Sequence, residues 1–62
     1  MEELIFFESI DKTLEDFYLQ IEHKAKKIIV DFGDLNINPQ FLNFMLKLQR
    51  ISNNSSIELY FL

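Results

Sequence analysis

Short apolar segments and longer amphipathic segments alternate along the chain. The apolar segments cover residues 4–7, 28–30 and 59–62, the last of them within a predicted strand of residues 57–62. Their length and their aromatic and β-branched residues favour β-strands, and the lack of polar alternation predicts strands that are buried on both faces. Residues 28–30 are β-branched at every position (Ile-Ile-Val). We therefore expect this segment to be the central strand of a sheet.

The first amphipathic segment, residues 12–26, follows the period of an α-helix. Its apolar side chains recur at helical spacing and form one stripe. The members of this stripe are Leu14, Phe17, Tyr18, Ile21 and Ala25. Asp11 comes directly before the segment, and a carboxylate is a good acceptor for the free backbone N–H groups of a first helical turn. We therefore predict a helix that is capped by Asp11.

The second amphipathic segment starts at Asn38 and Pro39, and both residues favour the beginning of a helix. The predicted helix runs from residue 39 to about residue 52, and a loop of Asn and Ser follows it. Its polar residues form one narrow stripe, which consists of Gln40, Asn43, Lys47 and Arg50. The helix is therefore apolar over more than half of its circumference, and it needs more than one partner surface.

The predicted order is β-α-β-α-β within a single domain, residues 1–62. Helical crossovers join parallel strands by right-handed connections, so the predicted fold class is α/β, with a three-stranded, mainly parallel sheet and two helices. Two helices cannot cover both faces and both edges of such a sheet, and exposed apolar patches usually mark interfaces. We therefore expect oligomerisation to complete the fold, most simply as a two-fold homodimer.

The residues that we predict to form a protein interface are apolar, because aromatic side chains and Met are enriched at such surfaces. Four belong to the second helix and one to the last strand: Phe41, Phe44, Met45, Leu48 and Tyr60. For each of them, ordinary packing in the core of the monomer is the alternative. A protein partner other than a second copy also stays open at this point.

The composition weighs against several classes of partner. Ten acidic and six basic residues give a net charge of -4, which disfavours non-specific binding to nucleic acid or to an anionic membrane. No apolar run approaches the roughly 20 residues of a membrane span, and the acidic residues at positions 2 and 3 contrast with the basic start of a signal peptide. We therefore expect a cytoplasmic protein without nucleic-acid or membrane partners.

The residues of common catalytic and metal sites are scarce. The chain has no cysteine, one histidine (His23) and one glycine (Gly33), so it offers no Cys or His zinc site and no glycine-rich phosphate loop. No serine lies in a nucleophile motif. His23 is expected near the end of a helix, where exposure to solvent is the simpler interpretation. We therefore predict that the protein is not an enzyme and has no cofactor.

The best candidate for chemistry is the acidic turn after the predicted central strand. It contains Asp31, Asp34, Asn36 and Asn38. Ligands of open α/β sheets bind beyond the carboxyl ends of the strands, and oxygen ligands suit Mg²⁺ or Ca²⁺. The spacing of positions 34, 36 and 38 matches the start of a calcium loop, but Pro39 and Met45 replace its required Gly and Glu. A metal-binding or catalytic module is the alternative function, and a turn with a helix cap is the simpler interpretation.

Residues 27–38, Lys-Ile-Ile-Val-Asp-Phe-Gly-Asp-Leu-Asn-Ile-Asn, resemble the STAS domain family, which is named for sulfate transporters and anti-sigma factor antagonists. Members of this family carry a hydrophobic strand that ends in Asp, then a turn with apolar residues and a helix. The predicted elements from residue 4 to residue 62 also resemble the family's strand–helix–strand–helix–strand core. The resemblance implies a regulatory domain that acts through contact with other proteins.

The chain departs from the STAS pattern in two respects. Regulatory members start the second helix with Asp-Ser-Ser-Gly or a close relative, in which a partner kinase phosphorylates a Ser or Thr. Residues 38–41 are Asn-Pro-Gln-Phe here, without a hydroxyl, so we do not expect that switch. The chain is also shorter than a full STAS domain, which favours completion by another chain. We therefore predict a small, self-associating, STAS-like interaction or regulatory module.

Overall fold

The computed structural model describes residues 2–36 and 38–62 and confirms the predicted α/β order. Met1 lies outside the described residues, and so does Ile37 within the segment that resembles STAS domains. The elements are β1 (Glu2–Phe6), α1 (Ile10–Glu22), β2 (Lys27–Asp31), α2 (Pro39–Asn54) and β3 (Glu58–Phe61). The strands form one fully parallel sheet in the order β1-β2-β3, with β2 in the centre as predicted.

Both helices pack on the same face of this sheet. The two crossovers advance in the same direction across the sheet, and right-handed connections then place their helices on one side. On that side Ile28 and Val30 are fully buried and Ile5 is 5% exposed. We call this side the helix-covered face; its apolar residues are Ile5, Ile28, Val30, Leu59 and Phe61.

The opposite side of the sheet carries no helix, and we call it the open face. Its apolar residues are Leu4, Phe6, Ile29, Tyr60 and Leu62. The expectation that the strands are buried on both faces is wrong for the monomer: Leu4 and Phe6 of β1 are 49% and 65% exposed, Tyr60 of β3 is 49% exposed, and Ile29 of β2 is only half-buried. The reason is topological: a strand order without a reversal sends no helix to the second face.

The core lies between the helix-covered face and the two helices. Phe17 from α1 and Leu48 from α2 are completely buried there, and Phe44 from α2 is 4% exposed. Burying an aromatic or aliphatic side chain of this size stabilises the fold by roughly 1.5–3 kcal/mol each. These few large side chains therefore supply much of the stability of a domain of 62 residues.

Helix α1 begins and ends earlier than the sequence pattern predicts. Ser9 is its N-cap, with the Oγ atom accepting from the backbone N–H of Lys12 at 3.1 Å, so the predicted cap at Asp11 is wrong. The helix ends because Lys24 adopts a positive φ of 61° and the N–H of Ala25 bonds to the carbonyl of Gln20. This pattern closes the helix with backbone hydrogen bonds and directs the chain into β2.

Helix α2 begins as predicted and ends two residues later than predicted. The side chain of Asn38 accepts from the N–H of Phe41 at 3.1 Å, and Pro39 occupies the first turn. Ser52 does not break the helix, because its hydroxyl donates to the carbonyl of Leu48 at 2.9 Å within the buried side. The helix ends where Ser56 takes a positive φ of 56°.

A cluster of phenylalanines closes the core at the carboxyl ends of the strands. The ring of Phe7 lies 5.2 Å from that of Phe32 and 5.2 Å, edge to face, from that of Phe41. Phe61 joins through Phe32 at 5.9 Å. Such aromatic contacts contribute about 0.5–1.5 kcal/mol beyond area burial, and this cluster fixes α2 against the strand ends.

Candidate functional site

The acidic turn after β2 is organised by backbone hydrogen bonds. Asp31 Oδ1 accepts from the N–H of Gly33 at 2.8 Å, and Asn38 Oδ1 accepts from the N–H of Phe41 at 3.1 Å. Asp34 and Asn36 are both exposed. Across residues 2–36 and 38–62, no three His, Cys, Asp or Glu side chains come together as a metal cluster. The geometry is that of a turn and a helix cap.

A shallow depression of about 540 Å³ lies beyond the carboxyl ends of β1 and β2. Its wall includes Glu8, Asp11 and Gln40, together with apolar residues of the phenylalanine cluster. The sheet has no point at which the strand order reverses, so the crevice that holds ligands in doubly wound folds is not formed. His23 caps the carboxyl end of α1 and is exposed at the opposite end of that helix. The structure therefore does not bring the imidazole to this depression.

The residues that we predicted for an interface separate into two groups. Phe44 and Leu48 are 4% and 0% exposed and pack in the core of the monomer, so they are not available to a partner. Phe41 and Met45 are half-buried, and Tyr60 is 49% exposed. Only Tyr60 lies on the open face. Contacts with the sheet and α1 thus explain part of the apolar circumference of α2, while Leu42 and Leu46 stay 51% and 64% exposed.

The open face carries exposed apolar side chains on both edge strands. Tyr60 is 49% and Leu62 72% exposed, and Phe6 on the other edge strand is 65% exposed. The register places Leu4, Ile29 and Tyr60 side by side in one row across the three strands. Ile29 is partly covered by these two neighbours. Parallel sheets are normally covered on both faces, so a bare apolar face is unusual.

Charged residues border the open face at both ends of the strands. Glu2, Lys27 and Glu58 form one row at the amino-terminal ends. The Lys27 Nζ atom lies 3.8 Å from Glu2 Oε2 and 4.9 Å from the centroid of the Tyr60 ring. Asp31 lies at the other end of β2, on the same face as Lys27 because the two are four residues apart. The face therefore has an apolar centre and a charged row at its amino-terminal end, while Asp31 lies between Phe6 and Leu62 at the other end.

The dimensions of the open face limit how much surface it can bury. Three strands at roughly 4.8 Å spacing, each with about five residues at 3.3 Å, cover about 15 Å by 16 Å. One partner seated on it covers on the order of 250 Å² per side, whereas a standard stable interface buries about 800 Å² per side. A contact through this face alone is therefore of the weak, concentration-dependent kind.

A second apolar surface lies between α2 and β3. It is a groove of about 340 Å³ lined by Leu42, Met45, Leu46, Gln49 and Phe61. Leu42 is 51% and Leu46 64% exposed. No charged residue is among the described residues that line this groove.

Comparisons of the chain with protein-family models, with curated proteins and with solved structures found no match. The resemblance to STAS domains therefore stays a prediction. Among the described residues, no helix is long and apolar enough to cross a membrane.

Sequence reasoning missed Leu4, Phe6, Ile29 and Leu62 as surface residues. A signal was present in the spacing of the charges. Lys27, Ile29 and Asp31 occupy every second position of β2, and Ile28 and Val30 lie between them. That is the polar and apolar alternation of a strand with one buried face, but a run of three β-branched residues concealed it.

Proposed function

We propose that this protein is a non-catalytic interaction module that self-associates through the open face of its sheet. The observation that carries the proposal is the row Leu4, Ile29 and Tyr60, which is apolar, continuous and uncovered in the monomer. Covering it removes apolar surface from water at roughly 25 cal/mol per Å². The resulting association is weak because the face is small. A contact of this strength suits a module that is monomeric at low local concentration and associated at high local concentration.

We propose that this self-association serves a regulatory role in the cytoplasm. It is supported by the resemblance of residues 27–38 to STAS domains, which act through contacts with other proteins. The helix start at residues 38–41 has no hydroxyl, so regulation here does not use phosphorylation at that position. It uses the equilibrium between the open monomer and the associated form instead.

A pair of matched substitutions tests the proposal. Leu4 on the open face is 49% exposed and Leu19 on the outer side of α1 is 44% exposed. Leu4→Lys and Leu19→Lys change the net charge equally, but only the first places a charge in the apolar centre of the open face. Sedimentation equilibrium from micromolar to roughly millimolar protein covers the affinity range of small interfaces.

We expect the unsubstituted protein and the Leu19→Lys variant to associate with rising concentration, and the Leu4→Lys variant to stay monomeric. Thermal melting of both variants confirms that each is folded. A monomer at every concentration for the unsubstituted protein contradicts the proposal. Equal loss of association in both variants also contradicts it, because the contact would then not be specific to the open face.

A further inference from the structure

The central strand presents opposite charges at the two ends of the open face. Lys27, Ile29 and Asp31 alternate with the buried residues of β2 and share this face. Lys27 and Asp31 lie at equal distances, about 6–7 Å along the strand, on either side of Ile29. The contact of Lys27 with the Tyr60 ring independently places the lysine side chain over this face.

This charge pattern distinguishes between the ways in which two copies can stack face to face. Two sheets related by a two-fold axis in the plane between them can align with their strands parallel or antiparallel. A parallel stack centred on Ile29 places Lys27 over the Lys27 of the second copy, and Asp31 over its Asp31. An antiparallel stack places Lys27 over the second copy's Asp31, twice in each dimer. For the two charges of β2, only the antiparallel stack is complementary.

We infer that the occupant of the open face is a second copy of this chain, stacked with its β2 antiparallel and centred on Ile29, with two reciprocal Lys27–Asp31 ion pairs. The inference rests on the proposed function and adds the partner's identity and orientation. Self-complementarity is the property that a two-fold interface requires, since each contact must occur twice. Strand β2 has this property, because a two-fold rotation centred on Ile29 brings Lys27 of each copy opposite Asp31 of the other.

The separation of stacked sheets allows these ion pairs to form. Facing sheets lie about 10 Å apart, a gap that the long side chain of Lys27 and the short side chain of Asp31 can span together. Asp31 Oδ1 accepts from the N–H of Gly33, and no side-chain hydrogen bond from another described residue reaches its second oxygen. The pairs border the apolar centre, so they are less screened than pairs at a fully exposed surface.

The other two charges of the face, Glu2 and Glu58, lie on the edge strands. Both are exposed. Aligned sheets pack with a rotation of about 30° about the crossing point of the central strands, and the displacement is largest at the corners of the sheet, where Glu2 and Glu58 lie. The two glutamates therefore stay at the solvated rim, where charges affect the dissociation constant little. The orientation is decided by β2.

Charge reversal on β2 tests the inference. The four samples are the Lys27→Glu variant, the Asp31→Lys variant, an equimolar mixture of the two, and the double variant Lys27→Glu/Asp31→Lys. In the antiparallel stack each single variant faces like charges twice, so we expect its dissociation constant to rise about tenfold or more. The mixture and the double variant restore opposite charges at both pairs, and we expect both to associate about as strongly as the unsubstituted protein.

Other orientations give different results in the same experiment. In a parallel stack the single variants and the double variant associate as the unsubstituted protein does, and only the mixture associates more strongly. In an orthogonal stack no sample differs from the unsubstituted protein. Either result overturns the inference and leaves the proposed function standing. If the unsubstituted protein does not associate at all, the proposed function fails and the inference fails with it.

A second variant separates the charge of Asp31 from the hydrogen bond that Asp31 accepts from the N–H of Gly33. Asp31→Asn keeps an oxygen acceptor for the Gly33 N–H and removes the charge, so the turn is preserved. We expect weaker association at low ionic strength and a smaller dependence on salt than in the unsubstituted protein. An unchanged dependence on salt overturns the proposed ion pairs. Sedimentation equilibrium in low and high salt is the measurement.

Discussion

Leu4 and Ile5 are neighbours in β1, yet their side chains are 49% and 5% exposed. Ile5 packs beneath the two helices, whereas Leu4 lies on the open face beside Ile29. The difference follows from the strand order, because two successive right-handed crossovers in one direction leave the second face of the sheet without a helix. The open face is therefore a consequence of the topology. Any function proposed for the protein has to account for the exposed apolar side chains on this face.

Two leucines of α2 differ in burial and form a matched pair for measuring how much core packing contributes to stability. Leu48 is fully buried and Leu46 is 64% exposed. We expect Leu48→Ala to lower the free energy of unfolding by about 2–5 kcal/mol, through lost burial and the cavity it leaves. The matched change Leu46→Ala should alter it by less than about 0.5 kcal/mol. Urea denaturation measures both, and a similar effect of the two changes would show that Leu48 is not a core residue.

The turn after β2 depends on the backbone conformation of Gly33. Its φ is 63°, and a Cβ atom added there would meet nothing within 4 Å. The cost of Gly33→Ala is therefore conformational, and we expect a loss of about 1–2 kcal/mol in the free energy of unfolding. Asn tolerates this conformation better, so Gly33→Asn should cost less than Gly33→Ala. The reverse order in thermal or urea denaturation would refute this explanation.

Divalent cations provide a test of the acidic turn. Oxygens of Asp31 and Asn38 accept hydrogen bonds from the backbone, and the described residues form no cluster of three acidic or histidine ligands. We expect millimolar Mg²⁺ or Ca²⁺ to leave the thermal midpoint unchanged. A ligand that binds the folded state raises the midpoint by mass action. A midpoint that rises with Ca²⁺ but not with an equal concentration of Na⁺ would restore the metal-binding alternative.

The fold class was predictable because the local signals agree with one another. The β-branched run in β2 and the Asn38-Pro39 start of α2 each specify one element, and the structure has both as predicted. The ends of the helices were less predictable. Ser9 and Asp11 are both good N-caps, and packing of Thr13 in the core, where its Oγ1 accepts from the N–H of Glu8, selects the earlier one.

An uncovered apolar surface was predicted from the sequence, but of the five residues predicted to form an interface only Tyr60 lies on the open face. Counting two helices against two faces showed that some apolar surface must be left uncovered. The count could not say which surface, because that depends on strand order and on the side to which each crossover passes. Phe44 and Leu48 were consequently predicted at an interface, although they fill the space between α2 and the sheet.

Methyl NMR spectra recorded over a dilution series test the central claim, that the open face is the surface of self-association, most directly. The methyl groups of Leu4, Ile29 and Leu62 report on the open face, and those of Leu19 and Leu46 report on the exposed sides of the helices. We predict that dilution shifts the first three signals together along one binding curve and leaves the last two unchanged. Signals of Leu46 that shift while those of Leu4 and Ile29 stay fixed would contradict the account and move the contact to the groove beside α2.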